Sequence, residues 1–180
     1  MDVYAQYEFQ VRSYECGPDG AATLPTVCNY LQEAASLHAE KLGFSKSDFA
    51  AEGANISWVP ARVYELANDV RPRTLGEDAF SKLRWTCRET AGEMPFRARR
   101  GDIDLNGHVN NVHYVEWLVE ALPADVGPVG DFEIAFKSET LAGEEVRSAA
   151  VEVEPGVWAA HVAAPDGRDH VVAQFSVRPE

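Results

Sequence analysis

No run of the chain approaches the roughly 18 consecutive apolar residues that a membrane-spanning helix needs, so no membrane span is expected. The N-terminus, Met1-Asp-Val-Tyr-Ala-Gln-Tyr-Glu-Phe9, lacks the basic stretch and apolar run of a secretory signal. Cysteine is scarce. Cys16, Cys28 and Cys87 are odd in number, widely spaced and free of any C-x-x-C pair, which argues against a disulfide framework and a thiolate zinc site. Basic residues are also few, 16 against 29 acidic ones for a formal net charge of -13, which argues against nucleic acid or an anionic membrane as partner. These deficits point to a soluble, cytoplasmic protein with reduced thiols. What is present is 180 residues, 46% hydrophobic and 10% aromatic, enough to bury a core in one large domain or two small fused modules.

Residues 3–13 are rich in aromatic and β-branched types and read as a strand, followed by the turn-rich Glu15-Cys-Gly-Pro-Asp-Gly20. Thr23 as N-cap and Pro25 in the first turn open a long amphipathic helix. Leu24, Val27, Cys28, Leu31, Ala34, Ala35 and His38 recur in it at helical spacing until Gly43. Residues 45–55 read as a loop or short helical turn, 56–66 and 79–89 as strands, and 94–100 as a further strand. A second helix is expected from about Val109 to Leu122, ended by Pro123. Four strands follow near 131–138, 144–153, 157–163 and 170–177, with Pro165-Asp-Gly167 as the turn of the last hairpin.

The chain also repeats itself. A shift of 87 residues superposes Phe9 on Phe96, Arg12 on Arg99, Gly20 on Gly107, Leu31 on Leu118, Glu33 on Glu120 and Ala34 on Ala121, with Glu15 over Asp102. Six identities in these 26 positions exceed the about one or two expected from composition. Two related α+β modules follow, residues 1–92 and 93–180. Where the second copy has Asn106 and His108, the first has Asp19 and Ala21, so only one half carries an imidazole and an amide at this place.

That second loop, Asp102-Ile-Asp-Leu-Asn-Gly-His-Val-Asn-Asn111, is dense in proton-handling groups and leads into an apolar helix. His108 is the group in it whose ordinary pKa, about 6.5, suits general acid/base work near neutrality. Asp104 and Asn106 lie two and four residues before it and can orient it or a water molecule. The helix start offers backbone N–H groups and the positive end of its dipole to a developing oxyanion. Asp104, Asn106, Gly107 and Asn110 are also favoured turn and cap formers, so backbone geometry is a competing account of them. His113, Glu116 and Glu120 share one face of the helix and read as its solvated stripe. The spacing of His108, His113 and Glu116 does not bring both imidazoles onto one helical face, so no metal is expected.

The stretch from Asp102 to Trp117 resembles the second-module motif of the acyl-acyl-carrier-protein thioesterases. Arg12-Ser-Tyr-Glu-Cys-Gly-Pro-Asp-Gly20 and Leu31-Gln-Glu-Ala-Ala35 resemble their first-module motif, with Trp58-Val-Pro-Ala-Arg62 between the two. The resemblance implies tandem hotdog modules, each an antiparallel sheet around a long helix. It implies no cofactor and release of fatty acids from acyl carrier protein, in chain termination of fatty acid biosynthesis. Carried over by position, Asp104, Asn106, His108 and Glu139 are the expected catalytic residues, and Trp58, Asn110, Asn111 and Tyr114 the expected substrate contacts. Thr140 stands where some relatives have a cysteine after the acid, which favours activated water over a thiol nucleophile. Compared with the family, the chain reaches the second module soon after Trp85-Thr-Cys87, so the first module is expected to be shortened. Its incomplete sheet would leave an edge that a homodimer can cover.

Nine of the 16 basic residues lie between Arg62 and Arg100, where six acids occur, a local balance of nine minus six, or +3. Arg71, Arg73, Lys82, Arg84, Arg97 and Arg100 are therefore the expected landing site for an acidic acyl carrier protein, and arginines would equally suit the phosphates of an acyl-CoA. Cross-strand charge pairs are the structural alternative. Rival functions are an acyl-CoA thioesterase, a hotdog dehydratase or hydratase, and a non-catalytic module that binds acyl thioesters.

Overall fold

The computed structural model describes residues 5–53, 62–66 (as backbone), 83–87 and 92–177. The chain divides into two compact units, Met1–Pro60 and Ala61–Glu180.

In the first unit a 3-10 turn at Ser13–Glu15 leads to helix α1, Leu24–Lys41, and helix α2, Lys46–Ala51. α1 starts where the sequence places it, because the Thr23 hydroxyl accepts the Thr26 N–H and Pro25 fits the first turn. It stops before Gly43, whose φ of +75° suits a residue without Cβ. α2 is capped by Ser45 and Asp48, which bond each other's backbone N–H. Residues 5–12 do not form the expected strand. Instead the Phe9 ring stacks on Tyr30 of α1, with centroids 4.7 Å apart, and the Tyr30 hydroxyl donates to the Glu15 carboxylate at 2.7 Å. The aromatic pattern serves to anchor the segment to the helix rather than to fill a ladder.

The second unit is an antiparallel six-stranded sheet. Its strands are β1 (Arg62–Leu66), β2 (Gly92–Arg97), β3 (Val129–Phe136), β4 (Glu145–Glu154), β5 (Val157–Ala163) and β6 (Asp169–Val177), in the order β1-β3-β6-β5-β4-β2. The last four begin and end within about two residues of the bounds read from sequence. β1 falls within residues 1–92, and it pairs with β3 of this sheet, Val63 opposite Ile134. β2 is the other edge. Pro95 and the exposed Glu93 and Arg97 blunt it against further strand pairing.

Helix α3, Asn111–Glu120, packs against β4 and β5. Val115 and Leu118 are 1% and 0% exposed, and the sheet contributes the buried Phe132 and Ile134 of β3, Val162 of β5, and Ala173 and Phe175 of β6. His113, Glu116 and Glu120 stay on the wetter stripe, as their spacing predicts. Residues 83–87, part of an expected strand at 79–89, form no ladder. Leu83 packs on Ala135 and Val172, and Trp85 stacks on His161 at 3.9 Å. Their apolar alternation covers the sheet instead of extending it. No helix among the described residues is long and apolar enough to cross a membrane.

Candidate active site

The loop before α3 is built on a buried carboxylate. Asp102 is 2% exposed and accepts the Arg99 N–H at 2.7 Å, Arg99 Nε at 3.1 Å and Arg99 Nη2 at 2.9 Å. Burial by itself would raise the Asp102 pKa. The side-chain and backbone hydrogen bonds from Arg99, helped by the charges of His113 and Arg99, outweigh it and hold the carboxyl below its ordinary value. The Asp102 carbonyl then takes the Asn110 N–H at 2.8 Å, and Ile103 and Val109 form an antiparallel bridge.

Between these ties the chain makes a tight turn. Asp104 N–H donates to the His108 carbonyl at 2.8 Å and Gly107 N–H to the Asp104 carbonyl at 3.1 Å. Gly107 has φ +85° with open space around a would-be Cβ. Gly107→Ala is therefore expected to cost about 1–2 kcal/mol from backbone strain alone, read as a lower midpoint in urea unfolding with an unchanged slope. The Asp104 carboxylate accepts the Asn106 N–H at 2.7 Å and its Nδ2 at 3.3 Å, so it orients Asn106 rather than the His108 ring.

His108 Nε2 lies 3.0 Å from Glu139 Oε2. Glu139 sits on the segment after β3, and the neighbouring Thr140 carbonyl accepts the Val109 N–H at 2.9 Å, locking that segment to the loop. A carboxylate only accepts, so Nε2 carries the imidazole hydrogen and Nδ1 offers the lone pair. The His108 side chain is one-third exposed and that of Glu139 two-thirds, so both are open to an incoming molecule.

The first copy of the repeat provides an internal control. Under the same shift of 87 residues, Arg12 N–H donates to Glu15 at 2.7 Å, Cys16 bridges Ala22, Gly17 N–H donates to Ala21 O at 2.8 Å, and Gly20 has φ +78°. Thr23 caps α1 where Asn110 caps α3, and the Phe9–Tyr30 stack matches Phe96–Trp117. This turn forms with Gly17, Asp19 and Ala21 in place of Asp104, Asn106 and His108. Loop geometry therefore does not require the imidazole or the second copy's particular carboxylate and amide.

The other expected residues fall as follows. Asn110 uses its side-chain oxygen to accept the Val112 N–H at 3.1 Å, and its carbonyl takes the His113 N–H, so two N–H groups expected to face an oxyanion are occupied by the cap. Asn111 is half-buried as the first residue of α3. Tyr114 is 2% exposed, packed edge-on to Trp117 and Phe136; burial raises its phenol pKa, partly offset by Thr140. Arg84, Arg97 and Arg100 are exposed, and Arg97 Nε donates to the Gly143 carbonyl. Trp58, Arg71, Arg73 and Lys82 lie outside the described residues. Among the described residues no three His, Cys, Asp or Glu side chains form a metal-binding group. Sequence reasoning missed the Asp102 clamp, although the paired Arg12/Glu15 and Arg99/Asp102 in the repeat carried its signal. It also missed Leu105, fully exposed at the turn's tip, and Leu141, half exposed beyond Glu139.

An antiparallel sheet with a central helix on one face, entered through a polar loop, is the hotdog arrangement. Two solved structures share it. An acyl-ACP thioesterase from Bacteroides thetaiotaomicron aligns with TM-score 0.78 and 18% identity over 94% of this chain and 96% of its own. The 12:0-ACP thioesterase from Umbellularia californica aligns with TM-score 0.79 and 18% identity over 98% and 100%. The chain belongs to the acyl-ACP thioesterase family: residues 2–71 match its N-terminal domain and residues 87–176 its C-terminal domain. Oleoyl-acyl carrier protein thioesterase 1 of Arabidopsis thaliana is 24% identical, covering 71% of this chain and 57% of that protein. An acyl-[acyl-carrier-protein] hydrolase of Cuphea viscosissima is 36% identical, covering 66% and 47%. The chain thus spans about half the length of the curated relatives it matches.

Proposed function

We propose that the protein hydrolyses acyl thioesters of acyl carrier protein, releasing a fatty acid and the free carrier thiol. The observation that carries this reading is the 3.0 Å pairing of His108 with Glu139, on a loop that the first copy folds without an imidazole. Glu139 holds the His108 ring, and Nδ1 takes a proton from water as its oxygen attacks the thioester carbonyl. The Asn106 amide, braced by Asp104, donates to the carbonyl oxygen as it gains negative charge, and the positive end of α3 adds its field. Collapse of the adduct breaks the C–S bond, and the leaving thiolate recovers the proton from Nδ1. With Thr140 after the acid, water and not a thiol is the nucleophile.

Leu105 and Leu141 give apolar contact to the acyl or pantetheine portion beside the dyad, and the exposed Arg84, Arg97 and Arg100 contribute to docking of an acidic carrier. The step terminates chain growth in fatty acid synthesis. Acyl-carrier-protein and acyl-CoA thioesters of increasing chain length, followed by a thiol-reactive dye, test the reading. Thiol release faster from the carrier series supports it, and release confined to the CoA series reassigns the carrier. A change in enoyl absorbance with no thiol released would identify a hydratase, and tight binding with neither signal a non-catalytic module.

A further inference from the structure

Glu139 presents a problem of placement. Its side chain is 69% exposed, and it lies three residues beyond the end of β3 at Phe136, where ladder hydrogen bonds no longer hold the backbone. An exposed glutamate side chain samples many rotamers, so a dependable 3.0 Å contact with His108 is helped by a backbone held on both sides. Thr140, tied to Val109, supplies one side.

The other side is a histidine on β6 that the proposed chemistry does not use. His170 is 1% exposed. Its carbonyl accepts the N–H of Lys137 at 2.7 Å and of Ser138 at 3.2 Å, and its Nδ1 lies 3.0 Å from Ser138 Oγ and 3.4 Å from the Ser138 carbonyl. Ser138 Oγ also lies 3.1 Å from the Asp169 carbonyl, which can only accept. The single hydroxyl hydrogen therefore goes to Asp169, and Nδ1 must carry the hydrogen it shares with Ser138. Ser138 Oγ then donates to Asp169 and accepts from Nδ1, whose hydrogen also lies toward the Ser138 carbonyl, and this linked set ties Ser138 to β6.

We infer that His170 and Ser138 are positioning residues for Glu139: the imidazole of β6, through the Ser138 hydroxyl and carbonyl, sets the backbone from which Glu139 reaches His108. The inference rests on the proposed role of the His108–Glu139 pair, but its first readout does not require catalysis. In 15N-edited spectra of the full chain, Glu139→Gln defines how the His108 ring signal moves when its charged partner is lost. Ser138→Ala and His170→Leu are expected to move that signal in the same direction, whereas His170→Asn, which keeps an amide donor at the place of Nδ1, leaves it near the wild-type position. In thioester hydrolysis His170→Leu is expected to lower kcat between about tenfold and a hundredfold, the penalty of a misplacement of order 1 Å, with little change in KM. In the Glu139→Gln background the same change should have no further effect.

Ser138→Ala, which removes one exchangeable hydroxyl and leaves the ring in place, keeps the test decisive if the leucine variant does not fold. A His108 signal unmoved in Ser138→Ala overturns the inference, as does a loss of kcat by His170→Leu that is equal with and without Glu139. A wild-type protein that cleaves no thioester overturns the proposed function instead, while the His108 spectra still decide the positioning role.

Discussion

His108→Ala is expected to lower thioester turnover by at least about a hundredfold, the low end of what a general base contributes. The fold should survive. The side chain is one-third exposed, its ring contacts the surface carboxylate of Glu139, and the equivalent turn in the first unit carries alanine at that place, Ala21. Urea unfolding of the variant should therefore overlay that of the wild type, and only the steady-state thiol assay should change. Glu139→Gln keeps the size of the side chain and removes its charge, so it should lower kcat by less than His108→Ala. The double variant should be no slower than His108→Ala, because groups that act as one unit lose their contribution once. A His108→Ala protein with wild-type turnover would remove the imidazole from the mechanism.

Asp102→Ala is expected to destabilise the second unit by about 2–3 kcal/mol at pH 7, the range for buried hydrogen bonds to a charged group. The carboxylate is 2% exposed and takes three nitrogens of Arg99, while the Arg99 side chain is mostly in water and is not left as a buried charge. The pH dependence has a defined sign. The folded pKa of Asp102 is depressed, the Arg99 hydrogen bonds prevailing over burial, so its stabilisation is present above the ordinary aspartate pKa of about 3.9 and lost as pH falls through the folded value. The difference between wild type and variant in urea midpoint should be full at pH 7 and shrink as pH is lowered below about 4. A midpoint difference that persists undiminished at pH 2 would mean that Asp102 acts through packing rather than charge. Because Asp102 also holds Asn110 through its carbonyl, activity should fail at lower urea than global unfolding in the variant.

Much of the fold is legible in local patterns. Thr23, Pro25 and Gly43 delimit α1, Pro123 lies just beyond α3, and Gly- and Pro-containing turns bound β3 to β6, because capping and turn chemistry act over a few neighbouring residues. The same local patterns mislead at residues 5–12 and 83–87. Apolar alternation records only that one side is buried. Phe9 is covered on one side by Tyr30 of a helix, and Leu83 and Trp85 pack on the face of a sheet, with no ladder at either place.

The candidate site divides along the same line. The turn from Asp102 to Asn110 is written twice in the chain, and both copies fold alike, because the hydrogen bonds they share run within about ten residues. The sequence by itself determined that turn, the helix behind it and the difference in side chains between the two copies, His108 against Ala21. Only the tertiary structure decided that Glu139 meets His108 and that β6 supports the acid through His170 and Ser138. Those contacts join residues about 30 positions apart in the chain, and they arise because antiparallel registry brings the end of β3 beside the start of β6 and against the loop. Such proximity is a property of the assembled sheet and leaves no mark in the spacing of the residues it unites.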